Sequence, residues 1–195
     1  MQKLRLGVLG SGKGSNYRAI QQAIDANRLN AEARVVISDV ENAGILKFAR
    51  EHGTRAEFVA PGKFKTKLEP EAEQRIVDIL QCERTDLVVL AGYMRMVKEP
   101  LLRAFPHRIV NIHPSLLPKF RGLAAWRQAL EAGEKITGCT VHWVDEGMDT
   151  GEIIAQREVP VLADDTAETL HARIQVAEHG VYPEVIAHIA AGMLH

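Results

Sequence analysis

Short apolar, β-branched runs recur along this chain at residues 4–9, 33–37, 56–59, 87–90 and 109–112, with helically spaced apolar patterns between most of them. That alternation leaves few folds open. A strand buried on both faces reads as a continuous apolar run, and a parallel strand reaches its neighbour only through a crossover, usually a helix. The pattern therefore predicts an α/β chain built on a mostly parallel open sheet flanked by helices. Helices are predicted over 16–26, 44–51, 69–81 and 126–132, with Pro70 in a first turn that tolerates it and Gly53 as a stop after the second. After Gly138 the pattern changes to strand-like runs at 139–144 and 152–161, joined by a glycine-bearing segment, which predicts an antiparallel C-terminal extension. A last helix is expected from Thr166 to about Ala191, kinked or broken near Tyr182 by Pro183. No internal repeat or linker divides the 195 residues, so one domain over 1–195 is expected.

Charge excludes some partners. Twenty-four basic residues against 25 acidic ones leave a net charge of -1, so no global field favours nucleic acid or a membrane surface, and anion binding has to be local. Cys82 and Cys139 are too few for a disulfide framework and lack Cys-x-x-Cys spacing, so they read as free thiols. Glycines at 7, 10, 12 and 14 interrupt the N-terminal apolar run before a signal-peptide cleavage site could follow. No apolar run approaches the roughly 20 residues that cross a bilayer. A cytoplasmic protein is expected.

The segment Gly10-Ser11-Gly12-Lys13-Gly14-Ser15-Asn16 follows the first strand and opens the first helix, where free N–H groups and the helix dipole favour a phosphate. A Walker A loop is excluded because Lys13 is followed by Gly14, not by Ser or Thr. A dinucleotide fingerprint wants a wider third glycine spacing than 10, 12 and 14, although Asp39 could mimic its ribose-binding acid. A plain tight turn without a ligand would also satisfy the glycines. Ser15 and Asn16 favour a phosphate, since both can cap the helix and still donate to an anion.

Asn111 and His113 are two apart at the end of a strand that Pro114 stops, so their side chains share one face, at the carboxyl ends of the strands where open α/β folds bind ligands. An amide beside an imidazole suits a carbonyl that becomes a tetrahedral oxyanion: Asn111 can donate to the developing charge, and His113 can donate or pass a proton. A histidine that merely satisfies a strand-end carbonyl is the plainer possibility. The acidic segment Val144-Asp145-Glu146-Gly147-Met148-Asp149-Thr150-Gly151 reads as a turn. A carboxylate from it near His113 would raise the imidazole pKa and keep the ring charged.

With Asn111-Ile112-His113-Pro114-Ser115-Leu116-Leu117-Pro118, the glycine loop and Met94-Arg95-Met96-Val97 all present, the chain resembles the phosphoribosylglycinamide formyltransferases, folate-dependent enzymes of purine synthesis, over nearly its whole length. The resemblance implies a formyltransferase-like fold with Asn111, His113 and Asp149 as catalytic residues. It implies that Gly12, Lys13, Gly14, Ser15 and Asn16 cradle the phosphate of glycinamide ribonucleotide, while Gln175 and Glu178 hold the same substrate. It also implies folate contacts at Met94, Arg95, Met96, Val97, Asn111, Val144, Asp145 and Asp149. Among Lys63, Lys65 and Lys67, Lys67 is the basic residue chosen for the folate. The implied co-substrate is 10-formyltetrahydrofolate and no metal is expected. Both partners are small molecules, nucleic acid and membrane are not expected, and monomer or homodimer stays open.

Two departures stand out. Lys13 occupies a position where asparagine is frequent, and Phe120-Arg121-Gly122-Leu123-Ala124-Ala125 replaces a frequent Tyr-Pro-Gly-Leu-His, with Arg121-Gly122 similar to methionyl-tRNA formyltransferase. That enzyme carries a further C-terminal domain, and formyltetrahydrofolate deformylase usually has His-His-Ser where this chain has His113-Pro114-Ser115. A sugar-nucleotide formyltransferase and a non-catalytic nucleotide- or folate-binding module also stay open.

Overall fold

The apolar runs become strands β1 (Leu4–Leu9), β2 (Ala31–Ser38), β3 (Arg55–Phe58), β4 (Leu87–Leu90) and β5 (Ile109–His113). Helices α1 (Ser15–Asp25), α2 (Gly44–Glu51), α3 (Pro70–Cys82) and α4 (Glu99–Ala104) join them. Then follow α5 (Ala125–Glu131), β6 (Ile136–Trp143), β7 (Ile153–Pro160) and α6 (Ala167–Ala190). The computed structural model describes residues 2–194, so the ends of the expected 1–195 span, Met1 and His195, lie outside the described residues. All seven strands form one sheet in the order β3-β2-β1-β4-β5-β6-β7, parallel through β5 and antiparallel for β6 and β7.

The continuous apolar runs reflect burial on both sides. Leu87 and Val89 enter the core under α1, α2 and α6, whereas Val88 and Leu90 enter the core under α3 and α4. The same alternation sends Val110 and Ile112 to the first core and Ile109 to the second. Asn111 and His113 therefore share the Ile109 face, at the carboxyl end of β5. Among the described residues no helix is long and apolar enough to cross a membrane.

Two features differ from the sequence expectation. The helix α4 is additional, because its six residues, Glu99-Pro100-Leu101-Leu102-Arg103-Ala104, are too few to display a helical period. Of the kink or break expected near Tyr182, the break does not occur: α6 runs through Pro183 without interruption. An internal proline costs a helix about 3 kcal/mol, but Val181, Tyr182, Pro183, Val185 and Ile186 are all buried, and their packing offsets that cost. The Tyr182 hydroxyl adds a tether, donating to the carbonyls of Leu90 at 2.9 Å and Val110 at 3.0 Å. Tyr182→Phe strips that donor from two buried carbonyls and is expected to cost about 1–3 kcal/mol, read as a lower urea midpoint with an unchanged slope.

Candidate active site

Three elements converge on one point beyond the carboxyl end of the sheet. β5 supplies Asn111 and His113, and β6 pairs antiparallel beside it, setting His142 opposite Asn111 and Thr140 opposite His113. The loop between β6 and β7 supplies Asp149, whose backbone takes the left-handed conformation at φ 53°. An aspartate tolerates that region better than most residues, and the turn it makes returns the carboxylate to the strand ends. The His113 Nδ1 lies 3.3 Å from Asp149 Oδ2, and His142 Nε2 lies 3.7 Å from Asp149 Oδ1.

The segment between β5 and α5 closes the other side through its backbone. His113 Nε2–H donates to the Phe120 carbonyl at 2.8 Å, and the Gly122 N–H donates to Asp149 Oδ2 at 2.9 Å. Phe120, Gly122 and Ala124 all have positive φ, which turns these groups inward. The departure at 120–125 thus meets the site through main-chain groups, and the Arg121 side chain is exposed. His142 Nδ1–H donates to the Trp143 carbonyl at 2.7 Å, leaving Nε2 to accept from the Asn111 amide at 3.2 Å. One of the two Asn111 amide hydrogens is thus committed, and the other is free for a ligand.

The electrostatics differ from expectation. Burial pushes the His113 pKa below its ordinary 6.5, against the opposite pull of Asp149 and the Phe120 carbonyl, and His142 adds to the depression. The carboxylate alone predicts a raised pKa; desolvation outweighs it because the His113 side chain is 6% exposed. A ring so placed gives up a proton readily. Burial also acts to raise the Asp149 carboxyl, but the two neighbouring histidines and the Gly122 N–H outweigh it, so its pKa lies below the ordinary carboxylate range.

The glycine loop lies at the carboxyl end of β1. Its helix begins at Ser15 with Gly14 as N-cap, φ 78°, and no side chain caps it, contrary to the expectation for Ser15 and Asn16. The left-handed turn explains the glycine, since a Cβ there would come within 2.8 Å of Ile45. Gly12 and Lys13 are exposed and Ser15 is half-buried. The Asn16 side chain is committed elsewhere: its Nδ2 donates to Glu178 Oε2 at 2.9 Å. What remains for an anion is the unpaired N–H groups of the first turn. The dinucleotide reading fails here, because Asp39 accepts from Ser11 and Arg95 and its side chain is 2% exposed.

Glu178 is buried in α6, and burial raises its carboxyl pKa from 4.5 to about 7, opposed by the Asn16 donor. A raised folded-state pKa means that stability is fully present below the unfolded value and is lost as pH rises through the folded one. The wild type should therefore weaken relative to Glu178→Gln as pH climbs from about 4.5 to above 7, by on the order of 3 kcal/mol. Urea midpoints of both proteins at pH 5 and pH 8 measure this, and a pH-independent difference would contradict it. Gln175, one turn before Glu178, lies with its Nε2 3.5 Å from His171 Nε2, and the His171 ring stacks on Trp126 at 3.7 Å.

The remaining sequence-predicted residues lie on the β4 side. Met94 is 59% exposed, Met96 is half-buried, and Val97 is buried in the core under α3 and α4. The Arg95 guanidinium is taken up by Asp39 and by the carbonyls of Phe64 and Lys65. Lys67 is exposed over the Phe64 ring at 4.6 Å and bridges Met96 through its backbone; Lys63 pairs loosely with Glu69 at 3.7 Å. Val144 donates its N–H to the Ile109 carbonyl, and Asp145 ties down its own loop by accepting from Gly147 and Thr150. Sequence reasoning misses His142. The alternation Cys139, Val141, Trp143 inward against Thr140 and His142 marks its face, but only the strand register sets it opposite Asn111.

A family model described as formyl transferase matches residues 4–186. The chain is 41% identical over 182 residues to phosphoribosylglycinamide formyltransferase of Bacillus subtilis, covering 93% of this chain and 92% of that one. It is 43% identical over 192 residues to the trifunctional purine biosynthetic protein adenosine-3 of Drosophila pseudoobscura pseudoobscura, covering 97% of this chain but spanning 14% of that protein's length. The crystal structure of glycinamide ribonucleotide transformylase 1 from Symbiobacterium toebii superposes with a TM-score of 0.93 at 48% identity, covering 98% of this chain and 89% of that one. The chain belongs to the formyl transferase family.

Proposed function

We propose that the chain transfers the formyl group of 10-formyltetrahydrofolate to the amine of glycinamide ribonucleotide. The observation that carries this reading is the meeting of Asn111, His113 and Asp149 at one point, with Asn111 free to donate and Asp149 ionised beside the imidazole. The glycine loop leaves the sheet two strands away, across β4, a span of about 10 Å at ordinary strand spacing. That distance suits a small ribonucleotide held by its phosphate at one end and its amine at the other.

The folate supplies a formyl carbon that the substrate amine attacks. The new bond forms to the amine nitrogen, the bond to the folate nitrogen breaks, and the amine proton ends on that departing nitrogen. Asn111 donates to the formyl oxygen as it becomes an oxyanion, the charge that preorganised donors stabilise most, and His113 exchanges its Nε2–H bond to the Phe120 carbonyl for one to that oxygen as the charge develops. Asp149 orients the His113 ring and, with an ordered water, passes the proton between the two nitrogens. The glycine loop and the first turn of α1 that it opens, from Gly12 through Lys13, Gly14, Ser15 and Asn16, receive the phosphate, with Lys13 adding a cation. Gln175 and Glu178 hold the glycinamide end; a carboxyl that titrates near 7 can accept from the substrate without imposing a full charge beside the phosphate loop. On the folate side, Met94 to Val97 and Val144 to Asp145 offer main-chain groups and apolar cover, and Lys67 offers a charge for the glutamate tail.

The test mixes purified protein with 10-formyl-5,8-dideazafolate and glycinamide ribonucleotide and follows the absorbance of the deformylated folate. Signal is expected only when both ligands are present. Signal without the amine would make water the acceptor, and no signal at all would remove the transferase reading.

A further inference from the structure

Asp39 takes no part in the chemistry above, yet its carboxylate joins the segments that carry both ligands. Ser11 Oγ donates to Asp39 Oδ1 at 2.5 Å, and Arg95 Nε donates to Asp39 Oδ2 at 2.7 Å. The Ser11 hydroxyl also accepts from the Met94 N–H at 2.9 Å, and the Ser11 N–H donates to the Gly92 carbonyl at 3.0 Å. These bonds clamp the glycine loop to the exit of β4. On the far side, Arg95 Nη1 donates to the carbonyls of Phe64 and Lys65, both at 2.6 Å, and the Met96 N–H donates to the Thr66 carbonyl at 2.8 Å. One buried carboxylate thus links the phosphate loop, the strand exit at 92–97 and the lysine-bearing loop at 64–67.

A carboxylate with a 2% exposed side chain is stable only while its donors stay in place, so these segments are ordered together or loosened together. A ligand that fixes one of them lowers the entropic cost of fixing the others. We propose that Asp39 is a positioning residue that couples the two ligand subsites, so that occupancy of the phosphate loop tightens the folate side and the reverse. The proposal rests on the functional reading above. It gives Asp39 a use that neither catalysis nor ribose binding provides.

The test is calorimetric titration of glycinamide ribonucleotide with and without saturating 5,8-dideazafolate, which lacks the formyl group and cannot react, and the reciprocal titration. In the wild type, each ligand is expected to tighten the other by about fivefold or more, by the same factor in either order. Asp39→Ala should bring that factor within about twofold of unity. Ser11→Ala removes the same link at a single hydroxyl and should do likewise, which keeps the test available if Asp39→Ala does not fold. A residue that only stabilises the fold would weaken both ligands and leave the factor intact. A wild-type factor near one, or a factor unchanged in a folded variant, overturns the coupling and leaves the functional reading standing. A wild type that binds neither ligand overturns both.

Discussion

His113→Ala is expected to lower kcat by about two to four orders of magnitude, the range that a positioned proton donor contributes. The substitution removes the donor to the oxyanion and leaves Asp149 facing a void, while the Gly122 N–H still holds the carboxylate in place. The fold should therefore survive, with the circular dichroism of the wild type and a stability, read from the urea midpoint, lowered by about 1–3 kcal/mol for the lost donor to the Phe120 carbonyl. A folded His113→Ala protein that keeps near-normal turnover would take the imidazole out of the mechanism.

Asn111→Ala carries the second large effect. Removing one preorganised oxyanion donor costs about 10²- to 10³-fold in kcat. Because the amide interacts with the formyl oxygen most strongly as charge develops, kcat should fall while KM for either substrate changes little. The opposite pattern, a raised KM with kcat preserved, would assign Asn111 to ground-state binding. His142 accepts from the Asn111 amide at 3.2 Å, so the substitution also frees a ring nitrogen beside Asp149. The kinetic split separates the two consequences, since loss of orientation alone does not spare KM.

Where the sequence is legible, burial makes it so. β1, β4 and α2 run from Leu4 to Leu9, Leu87 to Leu90 and Gly44 to Glu51 as the residue pattern predicts, because the strands are apolar on both faces and the helix has a clean stop at Gly53. The Asn111 and His113 pair is legible too, since a period of two and a following proline suffice to set them on one face. Other features depend on long-range geometry. His142 becomes part of the site only through antiparallel register, Phe120 and Gly122 contribute backbone rather than side chains, and Asp149 arrives through a left-handed turn. The sign of the His113 shift escapes the sequence for the same reason: a neighbouring carboxylate can be inferred from residue types, but the depth of burial that outweighs it cannot. Pro183 signals a local break, yet packing along α6 overrides it.

The most direct measurement follows the formyl carbon itself. With 10-formyltetrahydrofolate labelled at the formyl group and unlabelled glycinamide ribonucleotide, the label should appear in the ribonucleotide as a formyl amide, at the rate at which tetrahydrofolate is produced, and His113→Ala should slow that transfer by about two to four orders of magnitude. Label that leaves the folate as formate while the ribonucleotide remains unmodified would make water the acceptor and contradict the account.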